Sequence, residues 1–438
     1  MNCSPLSPPA APVAADCRDC YHAGRRNRRE KPNSDFQELL DKTVKSRRAA
    51  GVSRLVKETY QPAYAGRSPF GRLPQGERNM ARRTLLSLSV LGVLGVWAVR
   101  AEPPFYPDKS KLLVLRDADG KEQPVRTAAD WAKRRAHILA NMQLVMGPLP
   151  DDSQKVPLDV QVTETVELPN YVRKKLTFAV EKGDRVPAYL LVPKKRDGQL
   201  PGMLVLHQTI AIGKDEPAGL GKQENKRIGV HLVERGYVVL CPDYPSFGEY
   251  RYDFAKSKYQ SGSMKAIWNN LRAVDLLASL PEVDAERIGC IGHSLGGHNT
   301  MFTAVFDPRI KACVSNCGFT SFPKYYGGKL KGWTSARYMP LIADKYELKP
   351  EKVPFDFPEV VAALAPRAFL ASAPLHDDNF EVSGVRDCLA AAQPVYELLG
   401  VKDKLAANYP DCKHDFPPEV RKVAYEWLDR WLKHKDKN

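Results

Sequence analysis

Apolar and polar positions follow two rhythms along this chain. Between residues 127 and 146 (TAADWAKRRAHILANMQLVM), Trp131, Ala132, Ile138, Leu139, Met142 and Val145 recur at helical spacing, and Gly147-Pro148 ends the element. Extended runs follow at 160–168, 171–180 and 188–192, rich in β-branched and aromatic residues, with turns at Pro169-Asn170 and Lys182-Gly183-Asp184. These predict a short antiparallel start to a sheet. From residue 202 onward the rhythm changes to alternating strand and helix. Strands are predicted at 202–206, 237–241, 287–291, 310–314, 367–371 and 404–408, and helices at 224–235, 264–280, 295–305, 385–399 and 418–432. Such alternation predicts an α/β fold: a mostly parallel central sheet with helices on both faces.

The stretch 318–366 breaks the rhythm. It carries Phe319, Phe322, Tyr325, Tyr326, Trp333 and Tyr338 between two predicted core strands. An insert there is either a lid over a pocket or a structural wrap.

The N-terminal region has another character. Residues 1–79 hold Pro5, Pro8, Pro9 and the basic run Arg25, Arg26, Arg28 and Arg29, without sustained apolar periodicity. They are expected to be unstructured, because burial there cannot offset the ordering entropy. From Met80 to Ala101 the pattern is that of a secretory signal peptide. Arg82-Arg83 precede an apolar stretch from Leu85 to Val99, and Val99-Arg100-Ala101 puts small residues where a signal peptidase reads. An uncleaved anchor or a buried helix are the alternatives. The apolar run falls short of the ~20 residues a spanning helix needs. Since a signal normally begins at the initiator Met, 1–79 read as a gene-model extension. Residues 102–438 then form the mature domain, exported to the periplasm or outside the cell after cleavage near Ala101, with no stable membrane insertion.

Charge supports this division. The chain's formal net charge is +15, but residues 1–101 hold 18 Lys and Arg against 8 Asp and Glu, and the rest hold 48 against 43. The basic character therefore belongs mainly to the leader and is no argument for nucleic-acid binding. Cys3, Cys17 and Cys20 lie in the leader. The other six cysteines, in a large domain, do not form the disulfide framework of a small secreted protein, although one or two bridges are compatible with export. Cys241 and Cys290, within apolar strand-like runs, are expected to be buried small hydrophobes.

The strongest chemical signal is Gly292-His-Ser-Leu-Gly-Gly297, which fits G-x-S-x-G between a predicted strand and a predicted helix. A serine lifted above a sheet needs a tight turn, small neighbours, and a helix N-terminus that favours developing negative charge. Ser294 is thus the candidate nucleophile. It needs a base, and His414 lies between the last strand and the last helix. The acid is expected after the previous strand, where Asp377 and Asp378 stand together; Asp377 is preferred. Two backbone amides are required for the oxyanion: Leu295, which follows the nucleophile, and Thr209, from the loop after the strand at 202–206. His207 and His293 flank the site and are expected to play hydrogen-bonding, structural roles.

On the segments Leu206-His-Gln-Thr209, Pro242-Asp-Tyr-Pro-Ser-Phe-Gly248, Gly292–Gly297, Leu375-His-Asp-Asp-Asn-Phe380 and His414-Asp-Phe-Pro-Pro418, the chain resembles the α/β-hydrolase superfamily. Within it, the likeness is to dienelactone-hydrolase-like and acetyl-xylan-esterase-like enzymes, from about Met142 to the C-terminus. In the acetyl-xylan-esterase-like pattern the position two after the early His supplies the second oxyanion amide, which implies Thr209. Dienelactone hydrolases proper use a Cys nucleophile where this chain has Ser294, which argues against their lactone chemistry. Glucuronoyl esterases are similar in architecture but carry a different turn around the nucleophile.

The resemblance and the triad imply hydrolysis of carboxylic esters through an acyl-enzyme, with acyl groups on carbohydrates suggested by export and by the aromatic insert. A serine peptidase resembling the prolyl-oligopeptidase catalytic domain is one alternative. A non-catalytic exported binding protein with a hydrolase fold is another. There is no G-x-G-x-x-G after a strand and no cluster of metal ligands along the sequence, so neither cofactor nor metal is expected. The expected partner is a small-molecule or saccharide ester; oligomeric state has no sequence signature here.

Overall fold

The structure is a computed structural model that describes residues 102–433. The expected leader (1–79) and signal peptide (80–101) lie outside the described residues. A hairpin of β1 (Val114–Arg116) and β2 (Glu122–Pro124) comes first. Then follows helix α1 (Ala128–Met146), opened by Thr127, whose hydroxyl accepts from the Asp130 amide while the Asp130 carboxylate returns to the Thr127 amide. Such reciprocal caps are worth ~1 kcal/mol.

One nine-stranded sheet organises the rest. Its antiparallel part is β3 (Gln161–Glu167), β4 (Tyr171–Glu181) and β5 (Asp184–Pro193). Its parallel part is β6 (Leu200–Leu206), β7 (Val238–Pro242), β8 (Val283–His293), β9 (Ile310–Asn316), β10 (Ala368–Ser372) and β11 (Leu405–Asn408). The order across the sheet is β11-β10-β9-β8-β6-β7-β5-β4-β3. Helices α2 (Ile228–Glu234) and α3 (Gly262–Ser279) flank β7 in sequence, and α4 (Leu295–Phe306) follows β8. Further on come α5 (Phe357–Ala363), α6 (Val382–Leu398) and α7 (Pro418–Leu432).

Strand alternation divides the apolar residues between two cores. Val238 and Leu240 of β7 join one core with α1, α3, α4 and α6; Val239 and Cys241 join the other with α2 and α7. The period of two along each strand sends successive side chains to opposite faces, so a fully apolar strand serves both. Cys241 and Cys290 are fully buried, as expected, and all six cysteines from Cys241 to Cys412 are free.

Two expectations are modified. The helix foreseen over 224–235 is broken: Glu224–Lys226 form a 3₁₀ turn, Arg227 leaves helical geometry at φ −76° and ψ 43°, and α2 begins at Ile228. The cause is tertiary, because Lys226 turns inward to bind Asp415, with Nζ 2.6 Å from its carboxylate. The aromatic insert is a wall rooted in the core. Phe319, Phe322 and Trp333 are buried and pack with Phe355 and Phe357 of the same insert, which in turn meet Phe302 of α4 in the body of the fold.

Candidate active site

The site lies at the C-terminal ends of five neighbouring parallel strands, β6, β8, β9, β10 and β11, the usual place for ligands in open α/β sheets. From β8 the chain turns sharply at Ser294 (φ 55°, ψ −117°) into α4. A positive φ at a non-glycine residue costs of order 1 kcal/mol or more and persists only where its surroundings enforce it. The neighbours do so. A Cβ at Gly292 would collide with the backbone of Gly296, and a Cβ at Gly296 would collide with the Leu206 carbonyl at the end of β6. The turn is therefore wedged between two strands and its own helix, and only glycine fits at both places. The Ser294 amide is held by the Asn316 carbonyl of β9 at 2.9 Å. Leu295, as first residue of α4, has an amide with no intrahelical acceptor.

The loop after β10 carries Asp377, and the loop after β11 carries His414. His414 Nδ1 lies 2.9 Å from each carboxylate oxygen of Asp377. The Asp377 side chain is only 1% exposed, and its Oδ1 also accepts from the Asn379 and Phe380 amides at 2.8 and 3.1 Å. Asp378 is exposed. A carboxylate on Nδ1 leaves Nε2 as the lone-pair nitrogen of a neutral ring. Asn316 ties the two halves together: its Nδ2 donates to His293 Nδ1 at 2.7 Å and to the Asp415 carbonyl at 3.1 Å. The rings of His293 and His414 stand 4.8 Å apart. Among the described residues the Ser294 hydroxyl makes no hydrogen bond, neither to the α4 amides nor to His414.

Thr209 lines the same cavity as Ser294 and Leu295, a space of about 140 Å³ walled by Tyr325, Trp333 and Tyr338 of the insert and by Phe380. The Thr209 hydroxyl reaches the Tyr338 hydroxyl at 3.2 Å. His207 props up this loop from below. It donates from Nδ1 to the Gln208 carbonyl at 2.6 Å, and its Nε2 accepts from the Tyr244 amide at 2.9 Å. Burial lowers its pKa, and burial drives that of His293 well below the ordinary histidine value. Both histidines therefore sit neutral in structural positions.

Other residues at the site carried no local signal. His298 packs edge-on against Trp333 at 4.8 Å, and burial pushes its pKa down to about 3. Asp415 anchors the His414 loop through Lys226 and Asn225, each at 2.6 Å. Cys317 follows β9 with φ 49°, is buried, and brings its sulfur near Asp377 and His414; ligand atoms of the three all lie within 4.8 Å of one another. Sequence spacing hides this cluster, since its members are far apart along the chain and meet only because β9, β10 and β11 are neighbours.

The sequence profile of the Prolyl oligopeptidase family matches residues 227–437, the stretch that holds Ser294, Asp377 and His414. The putative hydrolase YtaP of Bacillus subtilis (strain 168) is 27% identical over 313 residues, covering 69% of this chain and 99% of that protein. Among solved structures, a glucuronoyl esterase from Solibacter usitatus has a TM-score of 0.58 at 22% identity, covering 75% of this chain and 99% of the other. A putative acetyl xylan esterase from Bacteroides fragilis has a TM-score of 0.52 at 17% identity, covering 74% and 100%. At such identities the structural likeness speaks for the fold.

Proposed function

We propose that this chain, a member of the α/β-hydrolase superfamily, is a serine esterase that cleaves carboxylic esters through an acyl-enzyme. The observation that carries the reading is the pairing of His414 Nδ1 with both oxygens of buried Asp377, beside a serine held at φ 55° over a cavity.

In this reading His414 Nε2 removes the proton of Ser294 as Oγ attacks the ester carbonyl. Asp377 fixes the ring orientation and stabilises the imidazolium that forms. The amides of Leu295 and Thr209 receive the oxyanion; losing one such donor typically costs ~10²–10³ in rate. The imidazolium then protonates the leaving alcohol. Water, deprotonated by the same nitrogen, releases the acid and regenerates Ser294.

An acyl group carried on a carbohydrate is the preferred substrate class. The aromatic wall supports it, because ring faces stack on sugar rings, and so do the names of the two structural neighbours. The stretch 80–101 is read as an export signal, which N-terminal sequencing of secreted protein tests directly. The experiment for the activity is a panel of acetylated, feruloylated and methyl-esterified saccharides beside short-acyl aryl esters. Turnover of at least one class, together with labelling of Ser294 by a fluorophosphonate, is expected. Failure on every ester and no labelling would sink the reading. A peptidase remains the second reading, favoured by the family profile. Cleavage of Pro-containing dipeptidyl amides faster than of any ester would establish it instead.

A further inference from the structure

Behind the candidate catalytic histidine lies a second arrangement that the esterase reading does not use. Three adjacent strands each end in one potential metal ligand: Cys317 after β9, Asp377 after β10 and His414 after β11. A sulfur, a carboxylate oxygen and an imidazole nitrogen, all within 4.8 Å of one another, form the donor set that suits Zn²⁺. In a tetrahedral zinc site the ligand atoms stand about 3.3–3.7 Å apart, so the widest pair has to close by ~1 Å. Cys317 is held in place by its amide, which donates to the Ser372 carbonyl of β10 at 2.9 Å, and by a left-handed backbone at φ 49°. A non-glycine residue kept in that region signals surroundings that over-determine it.

We propose that Cys317, Asp377 and His414 form an inhibitory site for Zn²⁺ and similar thiophilic divalent cations, with water as the fourth ligand. The inference rests on the esterase reading only for the meaning of inhibition. Binding replaces the Nδ1–H···carboxylate hydrogen bond with a metal bond to Nδ1. The displaced ring proton moves to Nε2, the thiol proton is released to solvent, and the Asp377 carboxylate turns from acceptor to ligand. Nε2, now protonated, has no lone pair left for the Ser294 proton. The metal thus switches the base to its wrong tautomer without touching the nucleophile. No electron is transferred. Without metal, burial and then the Asp377 carboxylate hold the Cys317 thiol well above the usual thiol range, so the sulfur is no nucleophile by itself.

The test uses the full chain carrying Cys3→Ser, Cys17→Ser and Cys20→Ser, so that the leader contributes no thiol. Titration with Co²⁺ is expected to give a thiolate-to-cobalt charge-transfer band. The band should vanish in Cys317→Ala and Cys317→Ser and persist in Cys412→Ser, the nearest alternative thiol. Zn²⁺ should lower turnover of a short-acyl aryl ester, EDTA should restore it, and Mg²⁺ and Ca²⁺ should have no effect. Cys317→Ala, which removes a direct ligand, should raise the half-inhibiting Zn²⁺ concentration by at least the ~10–100-fold that loss of an outer-shell partner costs. A missing band, a band that survives both Cys317 variants, or an unchanged half-inhibiting concentration overturns the site. Should the Ala variant fail to fold, the near-isosteric Ser variant carries the comparison. The cobalt band needs no turnover, so an intact band without esterase activity sinks the esterase reading alone, and turnover without a band sinks the metal site alone.

Discussion

The two halves of the candidate site are built by different means. The nucleophile half, from β8 through Ser294 into α4, is shaped by steric exclusion: Gly292 and Gly296 leave room that no side chain can share. The acid–base half, on the loops after β10 and β11, is shaped by hydrogen bonds: Asp377 accepts from His414, while Asn316, Lys226 and Asn225 donate to Asp415. The first kind of construction writes itself into a short stretch of sequence. The second is spread over distant residues whose meeting depends on strand order.

The largest effect is expected from the centre of the first half. Ser294→Ala should reduce ester turnover by ~10⁴–10⁶ while leaving the thermal midpoint close to that of the parent protein. Rates within tenfold of the parent would refute Ser294 as nucleophile. In the second half, Asp377→Asn should cost ~10⁴ in kcat, because the amide favours the wrong tautomer of His414. Asp378→Asn should be near neutral, and equal losses for the two would contradict the pairing described above. The steric character of the first half is sharpened by Gly296→Ala, which should destabilise by ~3 kcal/mol or more in urea unfolding, since the new methyl meets a strand carbonyl. A neutral result there would show that the turn is softer than its packing implies.

The smallest effect concerns how a half-buried ring outside the site responds to acid. His231 lies against Tyr425, Glu224, Arg421 and Arg227, and burial, followed by Arg421, pushes its pKa down to about 4. The unfolded chain therefore takes up this proton first. The stability tied to His231 is complete above the unfolded value near 6.5 and is lost as pH falls toward about 4. Between about pH 7.5 and 5 the loss should be ~2 kcal/mol. His231→Gln should remove that share of the pH dependence in denaturant titrations, and an unaltered slope would rule it out.

Much of the fold was legible in the sequence because apolar runs mark buried strands wherever they lie. Helix α7 begins and ends where the pattern said, since Pro418 opens it and its apolar stripe stops at Leu432. Strand β8 begins four residues before its apolar run because Val283 and Asp284 pair with Leu200 and Pro201 at the strand edge, a contact that polarity does not advertise. The break before α2 was invisible for a related reason: Lys226 suits a helix locally and leaves it only to reach Asp415. At the site, Ser294, His414, Thr209 and Leu295 followed from motif and chain order. Asp377 was preferred over Asp378 from the sequence, but its pairing with His414 is visible only in the three-dimensional arrangement of the β10 and β11 loops. Cys317, Asn316 and His298 gave no signal, since a strand-end Cys or Asn and a helical His read as ordinary packing.

Trp333 lines the cavity over Ser294 and also packs among Phe322, Phe357 and Phe380. The same indole thus bounds the substrate and pins the insert. Trimming it to admit a bulkier acyl group would also hollow out the scaffold beneath, so substrate range and heat tolerance are mechanically joined in this protein. Variants selected for larger esters should carry compensating mutations in those phenylalanines.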